Sequence, residues 1–253
     1  MNQGILNTWT YPPAVLSSAE NEVHVWRVSL DLPPDELARI GELLATDEAE
    51  RAARFRFKKD RDQFVARRGL LRTILRRYLD IPPEKVTFTY NTFGKPTIGN
   101  NPKGFHFNLS HSSGLALIAV TRRGEIGVDV ERIRKDVEID QVSEGLFSET
   151  ERDTLRSLSP KARRQAFFNC WTRKEAYLKA RGEGLSFPLN QFTVSILPGE
   201  APRLLAAQND AMEIERWALY QLAPAPDYIA ALAVEGRGHQ LSCWRGEGLS
   251  RDR

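Results

Sequence analysis

The sequence predicts an α+β fold with mainly antiparallel sheet, strands and helices interleaving along the whole chain. Three observations lead there. Short runs such as VHVWRVSL (23–30), FHFNLS (105–110) and IGVDVE (126–131) alternate in the period of a half-buried strand. Two long stretches, 62–79 and 160–181, carry apolar residues at helical spacing. Clusters of Gly, Pro and Asn, most visibly NTFGKPTIGNNPKG (91–104), separate the runs.

In chain order, 23–30 is the first strand. Pro33 and Pro34 lead into a short helix that Asp35 is placed to cap. A second helix covers Glu48 to Phe55. A third runs from Asp62 to Leu79 and stops before Pro82 and Pro83. KVTFTY (85–90) alternates as a strand, 91–104 reads as loop, and 105–110 resumes a strand. LALIAVT (115–121) is apolar enough to be buried on both faces. A seam at Arg122-Arg123-Gly124 divides the chain into 1–123 and 124–253. Beyond it IGVDVE is a strand, and Ser148 to Glu151 has the form of a capping box. Ser159-Pro160 opens the long helix, which ends at Gly182 and Gly184. QFTVSIL, RWALYQL and YIAALAV supply further strands, and a polar tail from about Gly236 is expected to be loosely ordered.

At 253 residues, 41% hydrophobic and 27% charged, the chain has the composition of a globular protein with a sizeable core. No apolar run approaches the roughly 18 residues of a membrane span. The first fifteen residues lack signal-peptide character, so the expected location is the cytoplasm. Cys170 and Cys243 are too few for a disulfide framework, and four histidines make no His-based metal cluster. The net charge is +3, but eleven Lys or Arg against two Asp lie between Arg51 and Arg77. Such a field suits phosphates or an acidic protein surface, a solvated helix face being the plain alternative. No recognition motif interleaves with the charge, so nucleic acid is not expected.

Three patterns carry chemistry. In IGVDVE, Asp129 and Glu131 share one strand face while Ile126, Val128 and Val130 take the other. Two residues of rise put the carboxylates about 6.5–7 Å apart, a span one hard cation bridges. Taken alone, the pair also fits a solvated outer strand. In the long helix Glu175 and Lys179 are four apart on one side, as a catalytic pair or as an ordinary surface ion pair. In NLSHS, Ser110 and His111 suit a phosphate oxygen, or equally turn chemistry. No G-x-S-x-G elbow accompanies them.

In order, FGKP (93–96), FNLSHS (107–112), IGVDVE (126–131) and WTRKEAYLKARGEGLS (171–186) resemble the phosphopantetheinyl transferase family. Every position of its two paired motifs is met, and the chain is similar to the larger, Sfp-type branch. That resemblance implies two similar α/β halves related by a pseudo-two-fold, with the active site between them and the coenzyme A nucleotide on the first half. It implies transfer of 4′-phosphopantetheine from coenzyme A to a serine of an acyl or peptidyl carrier protein. A monomer is expected, because no coiled coil or exposed apolar stripe in the sequence asks for an oligomer. Asp129, Glu131 and Glu175 would hold Mg²⁺, with Mn²⁺ as an alternative. Glu175 would be the general base, and Lys179 would face the pyrophosphate. Arg51, Arg68, Lys95, Ser110 and His111 would take the nucleotide side. Glu48 departs from the family, some members having lysine there. Lys174, about 100° round the helix from Glu175, faces elsewhere. A metal-dependent phosphohydrolase would leave NLSHS and GKP unexplained. A decayed binding module would not be expected to keep all four charged residues.

Overall fold

The computed structural model describes residues 8–16, 19–184, 187–207 and 212–249. Residues 1–7, Leu185 and Ser186 of the 171–186 block, and the end of the polar tail lie outside them. The first half runs β1 (Glu22–Ser29), α1 (Pro34–Gly41), α2 (Thr46–Ala53), α3 (Lys58–Leu79), β2 (Phe88–Tyr90), β3 (Pro96–Ile98), β4 (His106–Ser112) and β5 (Leu115–Thr121). The second begins with β6 (Ile126–Arg132), α4 (Ile139–Leu146), α5 (Glu149–Ser157) and α6 (Pro160–Arg181). It continues through β7 (Phe192–Val194), β8 (Leu204–Ala207), α7 (Met212–Arg216), β9 (Trp217–Leu222), β10 (Tyr228–Glu235) and β11 (Gln240–Arg245).

The two halves repeat one plan: a strand, helices ending in one of 22 residues, a two-stranded ribbon, then a hairpin. The order β1-β5-β4 in one sheet recurs as β6-β10-β9 in the other. Burial explains the stacking. On β1 and β5, Val23, Val25, Leu117 and Ala119 face a core shared with Ile126, Val128, Val130, Ala230, Leu232 and Val234 of the second sheet. Their alternate neighbours Trp26, Val28, Ala116 and Ile118 face α3, as Ala231 and Ala233 of β10 face α6. The layers are therefore helix, sheet, sheet, helix. This is why β5 is apolar on both faces.

Several expectations change in detail. Asp35 does not cap α1: Pro33 is the N-cap, Pro34 the first helical residue, and Asp35 sits in the first turn. Within the presumed loop 91–104, residues 96–98 form β3 and pair with β2. The polar tail is not loose over 240–245, which form β11 and lie parallel to β1 from Glu22↔Gln240 to Arg27↔Arg245. A strand formed from the segment after 124 thus completes the sheet of the first half. The capping box is present: Ser148 Oγ accepts from Glu151 N, and Glu151 Oε2 accepts from Ser148 N at 2.9 Å.

Candidate active site

The site forms where the edge of one sheet meets the edge of the other. Alternate residues of β4 reach across to alternate amides of β6. Asn108 Oδ1 accepts from Val128 N at 3.0 Å, Ser110 Oγ from Val130 N at 3.4 Å, and Ser112 Oγ from Arg132 N at 3.2 Å. The same hydroxyls donate to the acids of β6: Ser110 to Asp129 Oδ1 and Ser112 to Glu131 Oε2, both at 2.8 Å. The two sheets are stitched by side chains, and the stitches orient the carboxylates.

From the other side comes α6. Gly127 lets β6 and α6 touch, because an added Cβ would fall on Ala176 O and Ala180 N. That approach brings Lys179 Nζ to Asp129 Oδ1 at 2.6 Å and to Ser110 Oγ at 3.0 Å. The surface ion pair that Glu175 and Lys179 could form along the helix gives way to these contacts, with Asp129 in the same half and Ser110 in the other. Asp129 is 3% exposed, so its face is not solvated, and its Oδ2 is buried without a hydrogen-bond partner. Burial raises the Glu175 carboxyl above its ordinary range, Lys179 draws it back, and Asp129 and Glu131 push it up again. Burial likewise raises Glu131, with Ser112 opposing and Asp129 adding to the rise.

These residues line a cavity of about 570 Å³ whose opposite wall comes from α2, α3 and β4. There Arg51, Arg67 and Arg68 stand with Phe64 and His111. Arg51 and Arg67 both lie over the Phe64 ring. Burial, then Arg68 and Arg51, lower Arg67 to about 10. Arg67 donates to His111 Nε2, and burial, Arg67 and Lys179 bring the imidazole down to about 4. His111 is therefore neutral at neutral pH. Glu48 Oε1 accepts from Arg68 Nε at 2.6 Å and Oε2 from Arg72 Nε at 2.7 Å. Burial would raise Glu48, but the Arg72 hydrogen bond and the Arg68 charge hold it below its ordinary value. A larger hollow of about 1160 Å³ between α1 and the end of α3 has none of the three acids in its lining.

Of the residues singled out in the sequence, Arg51, Arg68, Ser110, His111, Asp129, Glu131, Glu175 and Lys179 line one cavity. Lys95 does not; its ammonium meets Glu125 Oε2 at 2.6 Å. Lys174 is fully buried on Glu151 Oε2 at 2.9 Å, which ties α6 to the capping box of α5. Sequence reasoning missed Asn108, Ser112 and Arg67. The period-2 match of Asn108, Ser110 and Ser112 on β4 was a signal for the first two; only folding sets Arg67 apart from the other basic residues. Among the described residues no three His, Cys, Asp or Glu side chains are already gathered in a metal-ligating group. None of the described helices is long and apolar enough to cross a membrane.

A family model described as 4′-phosphopantetheinyl transferase superfamily matches residues 125–233, and one described as 4′-phosphopantetheinyl transferase, N-terminal, matches 31–123. The chain is 39% identical over 240 residues to 4′-phosphopantetheinyl transferase HetI of Nostoc sp., covering 94% of this chain and 98% of that one. It is 28% identical to 4′-phosphopantetheinyl transferase Sfp of Bacillus subtilis over 68% of this chain and 76% of that one. The crystal structure of Thermotoga maritima holo-acyl-carrier-protein synthase matches 45% of this chain and 64% of that one, at 19% identity and a TM-score of 0.35.

Proposed function

Because the chain belongs to the 4′-phosphopantetheinyl transferase family, and to its Sfp type, we propose a specific reaction for this cavity. The enzyme takes 4′-phosphopantetheine from coenzyme A, places it on a serine of an apo acyl or peptidyl carrier protein, and releases 3′,5′-ADP with the help of Mg²⁺. One observation carries the reading. Asp129, Glu131 and Glu175, from a strand and a helix, face one cavity with the Lys179 ammonium among them and arginines opposite.

The donor set fits a hard cation. Asp129 Oδ2 is buried and unpartnered, and burial with mutual repulsion keeps Glu131 and Glu175 above their ordinary range. A divalent cation would relieve both conditions. Asp129, Glu131 and Glu175 would hold it, and when bound it supplies charge neutralisation at the pyrophosphate.

The chain's own residues supply the rest. Glu175, its proton affinity raised, takes the proton of the carrier serine hydroxyl. Lys179, fixed by Asp129 and Ser110, sets positive charge where the leaving phosphate gathers negative charge. Arg51 and Arg67 receive the 3′-phosphate, with Arg68 behind them because Glu48 already answers its charge. His111, neutral and steadied by Arg67, offers its other ring nitrogen as a donor to the nucleotide side. Both walls of the cavity come from one chain, which suits action as a monomer. The two cysteines are free and buried, in keeping with a cytoplasmic setting.

The test is intact mass spectrometry of apo carrier proteins incubated with the protein, coenzyme A and Mg²⁺, with an EDTA control. The expected result is a gain of one phosphopantetheinyl group that EDTA abolishes. No gain on carriers from fatty-acid, polyketide and peptide systems alike, with coenzyme A bound, would overturn the reading.

A further inference from the structure

Lys95 belongs to the turn joining β2 and β3, and its side chain is 10% exposed. An ammonium has three N–H donors. Here they face Glu125 Oε2 at 2.6 Å, Ala180 O at 2.9 Å and Ile126 O at 3.4 Å. Three acceptors for three donors leave none for a phosphate. The stem packs on Gly182, where an added Cβ would lie 3.0 Å from Lys95 Cδ.

Asn91 in the same turn donates Nδ2 to Gly182 O at 2.7 Å. Its Oδ1 accepts from Phe93 N at 3.0 Å and Lys95 N at 2.9 Å, so one side chain both shapes the turn and reaches the helix. The carbonyls engaged, Ala180 O and Gly182 O, lie at the C-terminal end of α6, where a helix leaves its acceptors unpaired and favours a cation. A ribbon of the first half thus caps the helix of the second that bears Glu175 and Lys179.

We propose that Lys95 is a positioning residue rather than a coenzyme A ligand. With Asn91 it clasps the end of α6 to the first half and holds Glu175 and Lys179 in register with the arginine wall. The consequence for turnover rests on the transferase reading; the clasp itself does not.

The experiment uses Lys95→Met and Asn91→Ala in the full chain. It reads coenzyme A affinity by calorimetry, amide exchange over 176–184 by mass spectrometry, and kcat and KM with an apo carrier protein. Both variants are expected to keep the coenzyme A Kd within about twofold of the parent. Both should speed exchange of the last turn of α6 by about tenfold, as loss of one hydrogen bond at the helix end implies, and lower kcat without raising KM for coenzyme A. If Lys95→Met weakens coenzyme A binding tenfold or more while Asn91→Ala leaves it unchanged, Lys95 touches the nucleotide and the proposal fails. Unchanged exchange in both variants also overturns it. Should Lys95→Met not fold, Asn91→Ala alone decides through exchange and affinity. A parent protein without transferase activity would remove the proposed function yet leave those two readouts able to judge the clasp.

Discussion

Ser112 Oγ lies 2.8 Å from Glu131 Oε2 and 3.2 Å from Arg132 N, so a single hydroxyl closes the seam between the sheets and fixes one acid of the pair. Ser110 repeats the arrangement two residues earlier, with Asp129 and Val130 N. The acids are oriented by the opposite half of the molecule, not by their own sheet.

Ser112→Ala therefore removes the donor from Glu131 and strands the Arg132 amide. The cost is about 1 kcal/mol of stability, seen as a lower melting temperature. Without that donor, Glu131 rises further above its ordinary value. The Mg²⁺ concentration giving half-maximal turnover should rise about three- to tenfold, with less change at saturation. An unaltered Mg²⁺ titration would mean that Ser112 does not orient Glu131 for the cation.

Glu175→Gln should lower turnover by about 10²–10⁴, the usual loss on removing a general base. It should also raise the melting temperature, because one of three mutually repelling acids is gone. Coenzyme A binding, followed by calorimetry, should largely persist. Binding that falls as far as turnover would make Glu175 a ligand and not a base.

Arg67→Met should act with opposite signs on stability and binding. The half-buried guanidinium, desolvated and repelled by Arg68 and Arg51, is lowered to about 10, so losing it relieves the fold. Affinity for 3′,5′-ADP should drop by tenfold or more, about the worth of a charged hydrogen bond. Thermal melts and calorimetry read the two effects. Lower stability with unchanged nucleotide affinity would leave Arg67 only a packing role.

The pH dependence of stability should run in two directions. Glu131 and Glu175, raised in the fold, contribute stability that is present below their ordinary range and lost as pH rises through their folded values. Glu125 behaves conversely. Hydrogen bonds from His106 and Lys95 hold it at about 2, against burial, so its contribution is present above the ordinary 4.5 and lost as pH falls toward 2. Denaturant unfolding of the parent and of Glu125→Gln should differ near pH 5 and converge as pH approaches 2. A difference that stays constant over that window would contradict the assignment. For turnover, the acid limb of kcat/KM should lie above the ordinary glutamate range.

Much of the site was legible because local periods carry it. Period two puts Asp129 and Glu131 on one side of β6, away from Val128 and Val130, and a four-residue step aligns Glu175 with Lys179. What those side chains meet was not legible. Lys179 passes over Glu175 for Asp129, fifty residues away, because Gly127 lets strand and helix touch. Lys174 likewise meets Glu151 only through the packing of α5 on α6. Resemblance assigns Lys95 to the nucleotide, yet an Asn91-shaped turn aims it at a helix end. β11 escaped notice because QLSCWR is a polar, half-exposed edge whose partner stands more than two hundred residues earlier.

That last strand has a consequence for biosynthesis. A nascent chain emerges with β1 first, and β1 finds β5 on one side as soon as the hairpin of the first half forms. Its other edge, Glu22 to Arg27, is the partner of β11, which leaves the ribosome only after the whole second half. Until then the early sheet presents an unpaired border, open to wrong strands, and a ribosome that stalls before 240 releases a product carrying it. Translation through β11, and not merely to the last residue of the cavity, seals the first half of the molecule.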